Sequence, residues 1–387
     1  MATCSCSGVR SVTSGETQVR AVARAAVLTL SSVLSDPGSI IPVGNTSVPR
    51  FSHTATLLRN GKVLIAGGMS RGSTTQPTAE LYDPTTHRFT QLGNLTSPRG
   101  YGATATLLDD GKVLIAGGSC GAGCVLSSAE LFDPATATFT STGSMSVRRA
   151  AACAVRLQDG DVLIMGGDSD PDRPPLASAE LYHPATGKFS TTGSMTTPRD
   201  YFAAVLGKDG KVLVMGGSST GQHASGMTEE SSAELYDPSI GRFTRTGAMS
   251  VPRNKLGAAL LPNGGVLVVG GQNGGAFGHR LASTEIYDPT TGEFKAGPNM
   301  HSQRYKMPSG LVTLKDGRVL VGGGAEQAEI YDPDSNAFTT VAGPGLDAFY
   351  YSTVTLLASG DALIAGGYGS QPGVGAFNHA WLYHDQD

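Results

Sequence analysis

RGYGATATLLDDGKVLIAGG, residues 99–118, reads as two short apolar strands joined by Asp-Gly and closed by a pair of glycines. Nearly the same phrase, RFSHTATLLRNGKVLIAGG, stands at residues 50–68. Alternating side chains around Asn-Gly or Asp-Gly predict a tight hairpin, because those dipeptides accept the positive φ that a two-residue turn needs. The shared words are therefore scaffold. The words just after the arginine differ between copies, and function is expected to be written there.

The glycine pair recurs at Gly67, Gly117, Gly166, Gly216, Gly270, Gly323 and Gly366, with spacings of 50, 49, 50, 54, 53 and 43 residues. Each of the first six is followed by a variable loop and a strand of the type AELYDP, AELFDP, AELYHP, TEIYDP or AEIYDP; the seventh is followed by AWLYHD. A turn and a further strand, such as FTQLGNLTSPR, complete the unit. Four short strands repeating every fifty residues or so make a propeller blade, and seven copies make a seven-bladed ring. The seventh unit ends with three strands, while GSIIPVGNTSVPR, residues 38–50, offers a fourth with no blade before it. The two ends are expected to complete one blade and so remove the open edges. The division is a tail or short helix over 1–37 and an all-β antiparallel propeller over 38–387.

Composition agrees: 53 glycines and 21 prolines in 387 residues belong to a turn-rich β protein. Net charge is −4 and no run of five like charges occurs, so neither nucleic acid nor an anionic membrane is an expected partner. The apolar segment RAVARAAVLTLSSVLS, residues 20–35, is too short to span a bilayer and lacks a clean signal-peptide pattern. A soluble monomer is expected, cytoplasmic in the first instance, with export as the alternative. Of five cysteines, Cys120 and Cys124 in CGAGC can close a small loop disulfide or stay as thiols.

The diglycines, the Tyr-Asp-Pro and the arginine before each blade resemble the kelch motif. The resemblance covers the chain from Gly38 onward; where kelch repeats carry a fourth-strand tryptophan, this chain has Phe89, Phe139, Phe189, Phe243, Phe294 and Phe338. The glycines, repeated tyrosines and arginines are thus read as architecture, with no phosphate-binding Gly-rich turn among them.

Specificity is expected on the face carrying the long loops between second and third strands and the starts of the innermost strands. Those starts read RFSHT, RGYGAT, RAAACA, RDYFAA, RNKLGA, RYKMPSG and AFYYST. His53, Tyr101, Tyr201, Lys255, Tyr305, Lys306, Tyr350 and Tyr351 would ring the channel mouth. Tyrosine offers an apolar face with a polar tip and lysine pairs with anions, so a small-molecule or glycan site is the leading expectation. Alternatives are an enzyme on the same site, with Tyr101, Lys255 and Tyr350 as candidate catalytic groups, or a protein-binding scaffold. An enzyme would be a metal-dependent oxidoreductase or a proton-transferring isomerase or cyclase.

A narrower resemblance is to the central domain of galactose oxidase and related copper-radical oxidases. RGYGAT matches the opening that carries their copper-ligand tyrosine, which implies Tyr101 in that role, and FYYST puts Tyr350 at their second tyrosine. Their cross-linked cysteine falls near Ser52 and their ligand histidine at Tyr351, so the copper-radical set is broken. His53 and His379 remain as candidate ligands for copper or iron, with tyrosinate or water. No cofactor is otherwise implied.

Overall fold

Each of the seven units folds into its own four-stranded antiparallel sheet, and the sheets are arranged in a ring. The computed structural model describes residues 38–384 apart from 71, 73, 171–172, 221–227, 276–277, 344–348 and 370–374; the tail expected over 1–37 lies outside the described residues. In blade one Thr54–Leu57 pairs with Val63–Ala66, which pairs with Ala79–Asp83, which pairs with Arg88–Gln91. The innermost strands of the other blades are Ala103–Leu107, Cys153–Arg156, Ala203–Leu206, Gly257–Leu260, Leu311–Thr313 and Thr353–Leu356. No helix among the described residues is long and apolar enough to cross a membrane.

Blade seven closes the ring as the chain ends predict. Ser39–Pro42 pairs with Ala380–His384 in the register Ile40 to Tyr383 and Ile41 to Leu382, outside the strands Ala362–Ala365 and Thr353–Leu356. Seven apolar clusters fill the seven gaps between neighbouring blades. Leu64 and Ala66 of blade one meet Val113 and Ile115 of blade two, and the circle ends where Leu363 and Leu382 of blade seven meet Val63 and Ile65 of blade one. Burial of these strands from water on both faces is the main favourable term, as for any such core.

Two backbone devices join the blades. The second glycine of each pair donates its N–H to the carbonyl of the residue that opens the next blade, from Gly68 to Arg99 through Gly324 to Phe349 and Gly367 to Arg50, at 2.8–2.9 Å. A side chain at Gly67 or Gly117 would run into the Arg99 or Arg149 carbonyl, which is why glycine recurs there. In six blades the opening arginine is buried against the glutamate of the third strand: Arg50 with Glu80, Arg99 with Glu130, Arg149 with Glu180, Arg199 with Glu234, Arg253 with Glu285 and Arg304 with Glu329. Each guanidinium also donates to the carbonyl of the first glycine, as Arg50 does to Gly67 and Arg199 to Gly216. The carboxylate in turn accepts backbone N–H groups of the segment entering the blade, Thr96 on Glu130 and Ser146 on Glu180. Each buried charge thus faces its opposite and several hydrogen-bond partners, the condition under which such a pair is tolerated. The third-strand aromatic and the fourth-strand phenylalanine pack as a pair in each of the first six blades, for example Tyr182 and Phe189 with centroids 4.9 Å apart, with Phe132 in place of the tyrosine in blade two.

Candidate ligand site at the channel mouth

In five blades the residue two positions before the innermost strand is held in the left-handed region, and a residue ahead of that strand in blades two and six shares it. Ser52, Ala151, Tyr201, Lys255, Lys306 and Tyr351 have φ between 50° and 57°, and Gly102 completes the ring at 71°. Backbone bonds run around this ring: Tyr351 donates to the Lys306 carbonyl, Ser52 to Tyr351, Ala151 to Gly102 and Lys255 to Tyr201, at 2.8–3.1 Å. Left-handed backbone costs a non-glycine residue about 1–2 kcal/mol. These bonds and the packing of neighbouring blades hold it, and the result is a rigid rim from which side chains project over the axis.

Blade two departs from the pattern in a way that matters. Thr104 pairs with Ala116 as Thr54 does with Ala66, yet Thr104 lies five residues after its arginine and Thr54 four. The extra residue puts glycine at the left-handed position and leaves Tyr101 free to lean across the mouth. Its ring lies 5.6 Å from Tyr201 and 5.5 Å from Tyr351, and its hydroxyl is 3.4 Å from that of Tyr351. Tyr101 therefore spans the gap between Tyr201 and Tyr351, so the channel is narrower at the top than seven blades suggest. Beneath the three rings a cavity of 260 Å³ runs along the axis, its wall made mostly of small residues such as Ala55, Ala105, Ala154 and Ala204.

On the side of blades six and seven the floor is aromatic and the rim cationic. Tyr305 and Tyr350 meet edge-on at 4.8 Å, and Tyr350 meets Tyr368 at 5.5 Å. The Lys306 amine stands 5.0 to 5.9 Å from the centroids of Tyr305, Tyr350, Tyr351 and Tyr368 and donates to the Tyr368 hydroxyl. The Arg280 guanidinium lies 4.7 Å over Tyr305 and 5.2 Å from Tyr350. The Lys255 amine lies 4.7 Å over Tyr201. Burial, and then the positive charge of Arg280, bring the Lys306 amine down to about 8. Burial and Lys306 lower Lys255 as well, with Asp200 and Glu229 opposing. Burial holds the hydroxyls of Tyr201 and Tyr351 well above the ordinary tyrosine range, so both are neutral donors at physiological pH.

On the side of blades three to five the buried residues are polar. Asp168 and Asp200 interact, and burial followed by the neighbouring Asp168 charge raises Asp200 to about 9. Asp200 and Asn254 are fully buried, Asp200 against Asp168, and the Asn254 amide has no hydrogen-bond partner among the described residues.

The structure brings Tyr101, Tyr201 and Tyr351 together, and Tyr305, Lys306 and Tyr350 together, with Lys255 over Tyr201. It does not bring together His53 and His379. His53 is buried in the channel wall, with Nε2 3.0 Å from the Thr353 hydroxyl, and burial and then Arg50 lower it to about 3. His379 instead stacks on Phe377 and meets Trp381 edge-on. Tyr368, Arg280, Asp168 and Asp200 belong to the mouth without having been singled out from the sequence. Tyr368 and Asp168 follow a diglycine directly, a position that pairs with the second residue of the blade opening, as in Tyr350 with Tyr368 and Ala150 with Asp168. Reading the seven residues after the glycine pairs as a second ring would have found both. Cys120 and Cys124 form a disulfide in the blade-two loop, with Cα atoms 5.1 Å apart.

The Kelch motif family matches residues 50–96, 102–146 and 257–301, which are units of blades one, two and five. The chain is a seven-bladed propeller with Kelch motifs in three of its blades. A solved structure described as a novel fungal alcohol oxidase of the AA5 family, in complex with copper, is similar with a TM-score of 0.72. The match covers 90% of this chain and 77% of that one at 17% identity, which establishes likeness of fold. No curated protein sequence matches. The cysteine and the histidine that the copper-radical resemblance implies are Ser52 and Tyr351 in this propeller. At the mouth Tyr101 meets the hydroxyl of a second tyrosine, Tyr351; Cys153 donates to the Phe202 carbonyl; and among the described residues no three of His, Cys, Asp and Glu converge to hold a metal.

Proposed function

We propose that this kelch propeller binds a small molecule or glycan in the bowl at the channel mouth. The observation that carries the reading is the joining of a tyrosine floor with cations that form no salt bridge among the described residues: Lys255, Lys306 and Arg280, each over a tyrosine ring. Aromatic faces stack on sugar or ring edges, their hydroxyls supply directional hydrogen bonds, and the strained rim fixes both in place. The test is saturation-transfer NMR of the full chain with a panel of monosaccharides and aromatic metabolites. Transfer to at least one probe, lost in Tyr101→Ala and Tyr305→Ala, supports the reading; no transfer to any probe defeats it.

A second reading, a proton-transferring enzyme on the same site, draws on the contact between Lys306 and Tyr368. An amine near 8 beside a neutral phenol can relay a proton at physiological pH. Acceleration of sugar ring opening or keto-enol exchange by the protein, lost in Lys306→Met, would favour it over binding alone.

A further inference from the structure

Lys306 and Arg280 share two aromatic rings. Both cations lie within 5.5 Å of the centroids of Tyr305 and Tyr350, and Lys255 is close enough that its charge and that of Lys306 disfavour one another. Three positive charges gathered in this way are unusual in a chain whose net charge is −4. Cation–π contact fixes the positions of the side chains, each such contact contributing about 0.5–2 kcal/mol, but a ring face neutralises no charge. For Lys306 and Arg280 that repulsion is relieved by an anion arriving from outside. The nearby carboxylates, Asp200 and Glu229, act on Lys255; neither offsets Lys306, which the Arg280 charge disfavours.

We propose that the natural ligand of the bowl is a small organic anion, a sugar or ring compound bearing one carboxylate or phosphate, with its oxyanion seated between Arg280 and Lys306. Arg280 is exposed and offers the planar fork that matches two oxygens; Lys306 is half-buried and offers a point charge that the Tyr368 hydroxyl orients. Tyr101 and Tyr201 are half-buried with neutral hydroxyls and would take the uncharged body of the ligand. Three cations in one recess suit a single oxyanion and are too few for a polyanion. The inference rests on the bowl being a ligand site and adds the charge of what enters it.

The experiment is isothermal titration calorimetry of the full chain with D-glucuronate, D-glucose 6-phosphate and D-glucose, read beside acetylation of Lys306 measured by peptide mass spectrometry. The expected result is that at least one anionic sugar binds about tenfold or more tightly than glucose, as charged hydrogen bonds require. The same anion should protect Lys306 from acetylation. Arg280→Gln and Lys306→Met should each remove that advantage. Arg280 lies at the surface, so its variant tests the idea without risk to the fold. A preference for glucuronate assigns the oxyanion as carboxylate, and a preference for the phosphate assigns it as phosphate. Equal affinity for glucose and both anions overturns the anion inference and leaves the bowl as a neutral-sugar site. No heat with any sugar and no protection of Lys306 by either anion overturns the anion inference and also removes support for the bowl as a sugar site.

Discussion

Phe349 packs edge-on against Trp381, ring centroids 4.4 Å apart, at the two positions of blade seven where every other blade buries an arginine against a glutamate. The closing blade thus dispenses with a buried ion pair and relies on apolar contact, joined by Ile40 from the N-terminal strand. The two solutions respond differently to truncation. Glu234→Ala should lower the unfolding free energy by about 3–5 kcal/mol, since it strands the Arg199 guanidinium without its charge partner. Removing that charge as well, in Arg199→Met/Glu234→Ala, should recover part of the loss. Urea denaturation measures both, and a double variant less stable than the single would contradict this account.

How much of this was legible in the sequence follows from the repeat. Seven diglycines fixed blade number and closure, because turn chemistry and strand alternation are local and survive in every copy. The third-strand glutamate was equally repetitive, yet its role depends on an arginine about thirty residues away, as with Arg50 and Glu80, and no local pattern announces that pairing. At the mouth, the tyrosines and lysines stood out because they break the repeat. Their grouping was not legible, since it depends on the single extra residue that swings Tyr101 toward Tyr201 and Tyr351. His53 broke the repeat too, but the channel wall buries it, and its contact is with Thr353 rather than with His379.

Asp200 should make stability depend on pH in the alkaline direction. An unfolded chain ionises this carboxyl near 3.8, whereas the folded one keeps its proton to about 9. The contribution of the neutral carboxyl is therefore complete below pH 4 and is lost as pH rises toward 9. Asp200→Asn holds the neutral shape at all pH values. Its melting temperature should match the wild type at pH 4 and exceed it by a margin that grows between pH 5 and 9; a constant difference across that range would show that Asp200 is ionised in the fold.

His53 acts in the opposite direction. It ionises near 6.5 when unfolded but only near 3 in the channel wall, so the folded state forgoes a proton that the unfolded state takes. Stability present above pH 6.5 is lost as pH falls toward 3. His53→Gln, which keeps a polar group within reach of Thr353, should flatten the decline between pH 6.5 and 4 in urea titrations. An unchanged slope would place the acid sensitivity elsewhere.

Among the described residues the strand Ser39–Pro42 is the part of blade seven that precedes blade one in the chain, and it pairs with Tyr383 and Leu382. A chain that begins at Arg50 leaves the edge of Ala380–His384 unpaired and removes Ile40 from the core shared with Trp381 and Val341. Such a chain should lose cooperative unfolding, or unfold at a clearly lower urea concentration, with proteolysis starting in blade seven. Equal stability of the two chains would mean that this strand does not close the ring.

Cys153 provides the sharpest test against copper-radical chemistry on this fold. A thioether radical centre needs a cysteine beside a ligand tyrosine, and Cys153 sits in the blade-three channel wall with its thiol directed to the Phe202 carbonyl. Burial pushes that thiol up to about 12, so the thiolate needed for metal binding is disfavoured. Tyr101 meanwhile is engaged with Tyr201 and Tyr351. Protein incubated with copper and air should keep its intact mass, with no loss of two hydrogens. After denaturation, peptide mapping should recover Cys153 as an alkylatable thiol. A peptide joining Cys153 to Tyr101 or Tyr201 would reverse the conclusion and make the channel mouth an oxidase site.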